Sequence, residues 1–257
     1  MKCVTWNINS VRSRLEHVLQ FIKAYNPDVL LLQELKCQEA QFPFEAFEEC
    51  GYNVKATFQK SYNGVAILSK YPLEDIHYTF FKEDSPQSRY IEAFTNGYRV
   101  ISLYAPNGES VESDKFFYKL SFYKHLYTHC QTLLQHKEKL IIGGDFNIAP
   151  SDLDVYDPKK YENHILSSPQ EQHHFRMLLS LGLLDAYRIL HPFNTLACEH
   201  YTWWDYRKGS WPNNHGLRID HFLLSPEAAN SLQRVFVSRE TRGWAKPSDH
   251  APVCAEF

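Results

Sequence analysis

Short, continuously apolar segments constrain the fold of this chain more than any other feature of its sequence. DVLLLQE (residues 28–34) and KLIIGGDFN (residues 139–147) each contain a run of aliphatic residues with neither helical nor alternating periodicity. A segment of this length and composition is typical of a strand that is buried on both faces. The two segments therefore predict a layered α/β protein with a substantial hydrophobic core.

Hydrophobic periodicity in the rest of the chain predicts more strands than helices. Helical spacing covers residues 11–22, 114–137, 170–182 and 226–232, and Asn26-Pro27 ends the first of these helices. Strand patterns are present in KCVTWNIN, YNVKATF, GVAILSK, RYIEAF, YRVISLYAPNG, YTWWDYR, LRIDHFLLS and APVCAEF. The polar stretch 148–170 predicts a surface loop, and no repeat or linker-like change of composition interrupts the chain. We therefore predict one domain that spans residues 1–257.

The composition is that of a globular protein and argues against several classes. The 257 residues are 44% hydrophobic with a formal charge of −3, which argues against a uniformly basic nucleic-acid coat but permits a local positive groove. The six cysteines, at positions 3, 37, 50, 130, 198 and 254, form no C-x-x-C pair and predict unpaired thiols in a reducing compartment. The N-terminus lacks a signal peptide's apolar stretch, and no run has membrane-spanning length. We therefore expect a cytoplasmic protein without a membrane partner.

Polar side chains stand where the predicted strands end. Asp145 and Asn147 are two residues apart, so they would project to the same side of an extended segment. Other strand ends supply three acids, two amides, a tyrosine and a histidine: Asn7, Asn9, Glu34, Tyr104, Asp220, Asp249 and His250. Each of them alone has an ordinary explanation as a turn former, a cap, an ion-pair partner or a core residue. Together they predict a functional site on the rim where strand ends and loops meet.

The side-chain types restrict the chemistry of this site. Carboxylate and amide oxygens are hard ligands that suit Mg²⁺ or Mn²⁺ rather than zinc. Asp220 lies inside the apolar segment LRIDHFLL, where an acid is costly without a partner, and it could orient the imidazole of His250. A divalent cation beside acids, amides and an oriented histidine is what phosphodiester hydrolysis requires.

An ordered set of motifs carries a resemblance to a known family. TWNINSVRSRL, DVLLLQELK, YNGVAILSK, YAPNGES, GGDFNIAP, YTWWDYR, LRIDHFLLS and KPSDHAPV follow one another in the family's order from end to end. GDFN and SDH are shared by the whole endonuclease/exonuclease/phosphatase superfamily, whereas WWDYR, LRID and KPSDHAP are more specific. The chain thus resembles the exonuclease III class of AP endonucleases, of bacterial type. The resemblance implies a four-layered α/β sandwich, in which two packed mixed β-sheets are flanked by helices.

The resemblance also implies roles for the residues at the strand ends. Metal binding is implied for Asn7, Asn9, Glu34, Asp145, Asn147, Asp249 and His250, and catalysis for Tyr104, Asp145, Asn147, Asp220 and His250. Glu34 would be the principal ligand of Mg²⁺, for which Mn²⁺ could substitute. Asp145 would orient or deprotonate the attacking water, while His250, held by Asp220, would contact the scissile phosphate. Tyr104 and Asn147 would also act at the phosphate.

For the substrate, the resemblance implies double-stranded DNA with abasic sites or blocked 3′ ends. Trp203, Leu217 and Ile219 would surround an apolar pocket for a base-free sugar, because extruding a nucleotide costs least where the base is missing. Phosphate or duplex contacts are implied for Asn107 and, in the loop 207–216, for Arg207, Lys208 and Trp211. The implied enzyme is a monomer that cuts 5′ to an abasic site, trims blocked 3′ ends and has 3′–5′ exonuclease activity.

Two other functions stay open alongside this one. A Mg²⁺-dependent phosphatase or phosphodiesterase from another branch of the superfamily, acting on inositol phosphates or sphingomyelin, would share GDFN and SDH. A non-catalytic nucleic-acid-binding relative would keep the fold and lose the ligands. The motifs WWDYR, LRID and KPSDHAP disfavour the first, and the full set of acids with His250 disfavours the second.

Overall fold

The computed structural model describes residues 1–82, 86–192 and 200–257, so Cys198 lies outside the described residues. The strands are β1 (Lys2–Asn7), β2 (Val29–Gln33), β3 (Asn53–Thr57), β4 (Val65–Ser69), β5 (Glu74–His77), β6 (Tyr90–Thr95), β7 (Tyr98–Tyr104), β8 (Leu140–Asp145), β9 (Leu184–Asp185), β10 (Asp220–Leu224), β11 (Arg234–Val237) and β12 (Val253–Glu256). The α-helices are α1 (Val11–Tyr25), α2 (Phe44–Glu48), α3 (Asp114–Gln135), α4 (Pro158–Tyr161), α5 (Pro169–Ser180), α6 (Ala186–Leu190) and α7 (Pro226–Ala229). Short 3₁₀ helices cover Glu39–Gln41, Asp152–Asp154 and Arg239–Gly243.

These strands form two mixed six-stranded sheets. The first sheet has the strand order β11-β12-β1-β2-β4-β3, and the second has the order β5-β6-β7-β8-β10-β9. Each sheet contains one parallel pair at its centre, β1 with β2 and β7 with β8. The neighbours of these pairs, including β12 beside β1 and β10 beside β8, run antiparallel.

The sheets pack face to face, and helices cover their outer faces. Val29 and Leu31 of β2 point into the core between the sheets, where they meet Val100 and Phe222 of the second sheet. The alternate residues of β2, Leu30 and Leu32, pack instead with α1. On the other side, the second sheet packs against α3 and α5. The predicted four-layered α/β sandwich is therefore confirmed, and the apolar runs are explained because both faces of each central strand are covered.

Local sequence signals set the ends of the main helices. α1 ends at Asn26, which adopts the left-handed conformation with φ 54° and precedes Pro27, as predicted. α3 begins after Ser113, whose side chain accepts a hydrogen bond from the backbone N–H of Phe116. α5 begins with Pro169 after Ser168, which forms a capping box with Glu171.

Two adjacent glycines let the end of β8 approach its neighbours. A Cβ atom at Gly144 would lie 1.9 Å from the backbone oxygen of Leu103 in β7. A Cβ atom at Gly143 would lie 2.5 Å from the ring of Phe222 and 2.7 Å from Leu31 of the facing sheet. Close packing at the end of β8 therefore requires the two glycines of LIIGGDFN. This strand end carries Asp145.

The strand predicted for YTWWDYR is wrong, and the predicted loop contains helical turns. Of residues 201–207, only Trp203 has strand-like pairing, through isolated bridges to Leu217 and His250. The aromatic alternation arises because Tyr201 and Trp204 pack in one small cluster while Trp203 packs in another. The stretch 148–170 contains one 3₁₀ helix and α4, and LRIDHFLLS becomes a strand only from Asp220.

Two further sequence-based expectations bear on compartment. The five cysteines in the described ranges are free, and four of them are buried. No helix among the described residues combines the length and the apolar character needed to cross a membrane.

Candidate active site

The strand topology brings the polar strand ends to one edge of the sandwich. The parallel pairs β1–β2 and β7–β8 end at this edge, and the antiparallel strands β10 and β12 begin there. In the register of the second sheet, Asp145 lies opposite both Tyr104 and Asp220. The carboxylates of Asp145 and Asp220 and the imidazole of His250 are all buried.

Asn7 joins the acids of the two sheets. Its side-chain nitrogen donates to Glu34 Oε1 at 2.8 Å and to Asp145 Oδ2 at 2.9 Å. Its side-chain oxygen accepts from the backbone N–H of Asn9 at 3.1 Å. Glu34 also forms an ion pair with Lys36 at 2.6 Å. Asn7 therefore holds Glu34 and Asp145 close together through its N–H groups, and its oxygen is engaged with the backbone.

His250 lies between two buried acids. Its Nδ1 lies 2.9 Å from Asp220 Oδ2, and its Nε2 lies 3.7 Å from Asp145 Oδ2. Burial alone lowers the pKa of this imidazole, but the charges of Asp220 and Asp145 outweigh burial and raise it to about 10. The histidine is therefore protonated at neutral pH, and Asp220 fixes the orientation of its ring, as the sequence predicted.

Asp145 is the carboxylate with the most unusual environment. Burial raises its pKa to about 7, with the positive charge of His250 acting in the opposite direction. Its second oxygen accepts from the backbone N–H of Asn147 at 2.8 Å, so the GDFN turn orients the carboxylate. A carboxyl group with this pKa can take up and release a proton near neutral pH.

The buried acids fit a divalent cation. Glu34, Asp145 and His250 each offer one potential ligand atom, and these atoms all lie within 4.8 Å of one another. Asp220 Oδ1 is buried without a hydrogen-bond partner among the described residues, so the site has an unused oxygen acceptor. Two carboxylates with amide groups nearby suit a hard cation that takes oxygen ligands.

Asn9 and Asp249 form a separate group at the side of this cluster. Asn9 donates to Asp249 Oδ1 at 2.9 Å and accepts from Lys36 at 2.6 Å. The indole N–H of Trp203 donates to Asp249 Oδ2 at 3.0 Å. Burial raises the pKa of Asp249, but the charge of His250 and these two donors outweigh it and keep the pKa below its usual value. Asn9 and Asp249 therefore bond to other side chains of the protein. They are not part of the potential metal-binding cluster of Glu34, Asp145 and His250.

The predicted phosphate contacts lie next to Asp145. Asn107 donates to Asn147 Oδ1 at 3.3 Å, and Asn147 donates to the backbone oxygen of Ala105 at 2.9 Å. Burial and the charges of Glu34 and Asp145 raise the pKa of Tyr104 well above its usual value, so its hydroxyl keeps its proton. The guanidinium of Arg89 stacks over the Tyr104 ring at 4.8 Å and places a positive charge at this edge.

The predicted apolar pocket is not open between its three residues. Leu217 and Ile219 are fully buried, and they pack with Ala149 and Leu166. Leu166 adopts φ 77°, a conformation that is unusual for leucine and that the surrounding packing must hold. Trp203 alone is partly exposed. Leu217 and Ile219 therefore support the wall of the site from within the core, which corrects the expectation that they line an open pocket.

A polar and aromatic cavity opens on the exposed side of Trp203. Its volume is about 310 Å³, and its lining consists of Tyr156, Lys160, Tyr161, Trp203, Asp205, Lys208, Ser210 and His215. Lys208 thus faces this cavity, whereas Arg207 is 83% exposed and pairs with Asp205 at 2.9 Å. Trp211 packs edge-on against Trp204 at 4.8 Å, so it anchors the loop 207–216 in addition to any contact with a ligand.

The structure adds functional-site residues that sequence reasoning missed. Lys36, Arg89 and Lys119 place positive charges around the acids, and Arg218 forms buried ion pairs with Asp154 and Asp185 beneath the pocket wall. Lys119 lies in an amphipathic helix, where the sequence alone indicates that a lysine is exposed to solvent. Arg218 is adjacent to the predicted residues of LRID, and a charge within an apolar run was an available signal.

Comparisons with known proteins identify the family that this chain resembles. The family model for the endonuclease/exonuclease/phosphatase family matches residues 4–250. Exodeoxyribonuclease III from Haemophilus influenzae is 36% identical over 100% of both chains. A solved 3′ phosphatase from Neisseria, bound to a product DNA hairpin, is 43% identical with a TM-score of 0.96, covering 100% of this chain and 99% of that one.

A second solved structure extends the likeness to a more distant organism. The AP endonuclease from Archaeoglobus fulgidus is 35% identical with a TM-score of 0.95, and the match covers 100% of this chain and 99% of that chain. The similarity thus includes the whole fold and both ends of the chain. The chain belongs to the endonuclease/exonuclease/phosphatase family, within its exonuclease III group of DNA-repair nucleases, and is a phosphodiester hydrolase.

Proposed function

We propose that this enzyme hydrolyses phosphoester bonds of double-stranded DNA, cutting 5′ to abasic sites and removing blocking groups and nucleotides from 3′ ends. The observation that carries the proposal is the buried position of Asp145, held between the Asn7–Glu34 pair and the His250–Asp220 pair. This arrangement supports a centre in which a proton acceptor, a cation and a protonated histidine would act on one phosphate.

The proposed mechanism assigns a separate task to each of these groups. Glu34 and Asp145 would hold Mg²⁺, for which Mn²⁺ can substitute, and the bound cation supplies neutralisation of charge on the phosphate. Asp145 would accept the proton of the attacking water, because its carboxylate lies beside both the cation site and His250. His250 keeps its proton through Asp220, so contact with a phosphate oxygen suits it better than metal ligation.

Neighbouring donors complete the stabilisation of negative charge. The hydroxyl of Tyr104 stays protonated. The backbone N–H of Asn147 donates to Asp145, and the side-chain amide of Asn107 donates to that of Asn147. Donors that are fixed before the reaction stabilise developing charge without the cost of reorganisation. Asn7, Asn9 and Asp249 would orient the cation's ligands or its waters, because their side chains already bond to those ligands or to each other.

One observation favours 3′-end processing as the stronger of the two activities. Leu166 packs with Leu217 and Ile219, the residues expected to surround an extruded base-free sugar, and both of these are fully buried. The related Neisseria protein with bound DNA is described as a 3′ phosphatase. A terminal 3′ phosphate needs no extrusion of a nucleotide, so a filled apolar wall would not hinder its hydrolysis.

The assignment of partner and location follows the same argument. A single chain supplies all the groups named above, so we assign the activity to a monomer whose one catalytic domain spans residues 1–257. We assign the enzyme to the cytoplasm of a bacterial cell, because DNA repair takes place there. A lipid or inositol phosphatase is disfavoured by the match to DNA-repair nucleases over the whole length of the chain. A non-catalytic binder is disfavoured by the intact acidic cluster.

Three labelled duplexes test the proposal: one with an internal tetrahydrofuran abasic analogue, one with a 3′ phosphate at a nick, and one with an unmodified 3′ end. With Mg²⁺ we expect a nick 5′ to the analogue, release of inorganic phosphate, and slow shortening from the 3′ end. EDTA should abolish all three reactions, and Asp145→Asn serves as the inactive control. Absence of any cleavage by the wild-type protein would contradict the proposal and favour the binding protein.

A further inference from the structure

A buried ion pair lies directly behind the predicted phosphate contacts. Lys119 of α3 and Glu171 of α5 are both fully buried and pair with each other. Lys119 Nζ also donates to the backbone oxygen of Asn147 at 2.6 Å and to that of Asn107 at 3.0 Å. An ammonium group has three N–H donors, and this one has three acceptors, so its hydrogen-bonding capacity is fully used.

Glu171 connects the same network to a third segment. Its carboxylate accepts from the backbone N–H of Leu166 at 3.1 Å and from that of Ser168 at 3.0 Å. The contact with Ser168 belongs to the capping box of α5 and has an ordinary structural role. The contacts with Leu166 and Lys119 lie outside that box. They tie residues 165–168 to the two segments that carry the asparagines.

Close packing leaves these segments little freedom around Lys119. A Cβ atom at Gly108 would lie 2.9 Å from Ile165 Cδ1 and 3.2 Å from Lys119 Cδ. The backbone N–H of Ala149 donates to the oxygen of Leu166 at 2.6 Å, which joins the segment after Asn147 to the segment before α5. Three loops therefore converge on one charged pair.

Stability does not account for a charged pair at this position. Removing two ions from water is costly, and replacement of a buried pair by uncharged residues of similar volume is often neutral or stabilising. A buried pair can instead fix one geometry. The atoms that it fixes here are the backbone oxygens of Asn107 and Asn147. The side chain of Asn107 donates to Asn147 Oδ1, and the backbone N–H of Asn147 donates to Asp145.

We propose that Lys119 and Glu171 are positioning residues for the hydrolysis. Through the backbone oxygens of Asn107 and Asn147, the pair holds the two side-chain amides where the phosphate's developing charge appears. The inference rests on the proposed function, in which these amides contact the phosphate. A small displacement of such donors lowers the rate of the chemical step, while remote contacts that bind DNA are unaffected.

The double variant Lys119→Met/Glu171→Gln tests this role, because it removes both charges and leaves neither unpaired. On the 3′-phosphate duplex we expect kcat to fall about 10- to 100-fold. The KM for DNA and the Mg²⁺ concentration for half-maximal rate should stay within about twofold, since neither residue touches Glu34 or the loop 207–216. A kcat within about threefold of wild type would overturn the proposal. So would a joint change of kcat, KM and Mg²⁺ dependence, which would indicate general loss of the site's structure.

A more severe control is the buried pair of Glu92 and Arg99, whose nearest atoms lie 2.6 Å apart and which also pairs with His129, Asp75 and Glu138. Arg99 lies near the start of β7, at the opposite end of the strand from Tyr104. The variant Glu92→Gln/Arg99→Met also removes one negative and one positive charge, and it should leave kcat unchanged. An equal loss of kcat in this control would overturn the positioning role, because it would show that any buried pair affects the rate through stability.

Amide hydrogen exchange without DNA separates this inference from the proposed function. The amide of Ala149 is joined to Leu166 across the loops but contacts neither charged residue. In the double variant we expect it to exchange at least about tenfold faster, with the amides of β7 unchanged. Unchanged exchange at Ala149 would overturn the positioning role. Faster exchange together with an inactive wild-type protein would support the positioning of the loops and overturn only the proposed function.

Discussion

At the scale of single residues, the site works through groups whose charge is set by their neighbours. Asp145 is difficult to ionise because it is buried, whereas His250 is difficult to deprotonate because two acids face it. Near neutral pH, Asp145 can therefore take up or release a proton, while His250 stays protonated. Asp220 maintains the charge and the orientation of His250.

Replacement of Asp220 by Asn should lower the pKa of His250 and slow catalysis. The Asp220 charge is the main influence that raises the pKa of His250, and burial alone lowers it. Without that charge, the imidazole loses its proton at a lower pH, and its ring loses a fixed partner at 2.9 Å. We expect kcat to fall by a factor on the order of 10² to 10⁴.

Nuclear magnetic resonance titration of His250 in EDTA measures the predicted pKa shift directly. The midpoint in Asp220→Asn should lie well below the wild-type midpoint. An unchanged midpoint would show that Asp145 alone keeps the histidine charged. An unchanged kcat would show that the orientation of the imidazole is not needed.

At the scale of elements, the sequence predicts what local patterns determine. The central strands and their polar ends were predicted because apolar runs and turn residues are local signals. The burial of Leu217 and Ile219 was not predicted from the sequence. It depends on packing with Leu166, which is distant in sequence and adopts a positive φ. Lys119 was missed for the same reason, since its three acceptors come from three other segments.

Substitution of Gly144 by Ala should disrupt the join between β7 and β8. The added Cβ would lie 1.9 Å from the Leu103 oxygen, so the two strands would have to separate at the end that carries Asp145. We expect a loss of about 3 kcal/mol or more in the free energy of unfolding, measured by urea titration. Gly243→Ala is the control, because nothing lies within 4 Å of the added atom. Equal stability of the two variants would contradict the packing argument.

The loop 207–216 should contribute to DNA binding through charge. Lys208 is exposed beside the cavity at Trp203, so Lys208→Ala should weaken DNA binding and reduce the slope of log affinity against log salt by about 1. Lys23→Ala, in the last turn of α1, is the control for loss of an exposed charge. Fluorescence anisotropy across a salt series in EDTA measures both. Identical slopes for the wild type and Lys208→Ala would remove the loop from the interface.

At the scale of the whole molecule, a buried charge network supports the site from the second sheet. Arg218 pairs with Asp154 at 2.7 Å and with Asp185 at 2.8 Å, and it contacts the ring of His221 at 3.1 Å. His221 also bonds to the backbone oxygen of Ile148 at 2.8 Å. Ile148, which follows Asn147, and Arg218, which precedes Ile219, are thereby fixed by one cluster.

This network should make stability fall in mild acid. Burial, followed by the charge of Arg218, lowers the pKa of His221 to about 4, against 6.5 in the unfolded chain. The unfolded state therefore binds one more proton between these pH values, so stability present above pH 6.5 is lost as the pH falls toward 4.

Between pH 7 and pH 4.5, the wild type should lose about 2 kcal/mol more than His221→Asn in the free energy of unfolding. Urea titrations of both proteins in EDTA measure the difference, and the carboxylates that both share cancel from it. Equal losses would show that His221 does not contribute to the acid sensitivity.

The central claim is that the strand-end acids form a metal-dependent hydrolytic centre, and the Mg²⁺ dependence of cleavage tests it most directly. Single-turnover cleavage of the 3′-phosphate duplex should be absent in EDTA for the wild type. In Glu34→Gln, the Mg²⁺ concentration for half-maximal rate should rise at least about tenfold, while Glu48→Gln on α2 should match the wild type. Cleavage that persists in EDTA, or an identical Mg²⁺ dependence in Glu34→Gln, would contradict the account.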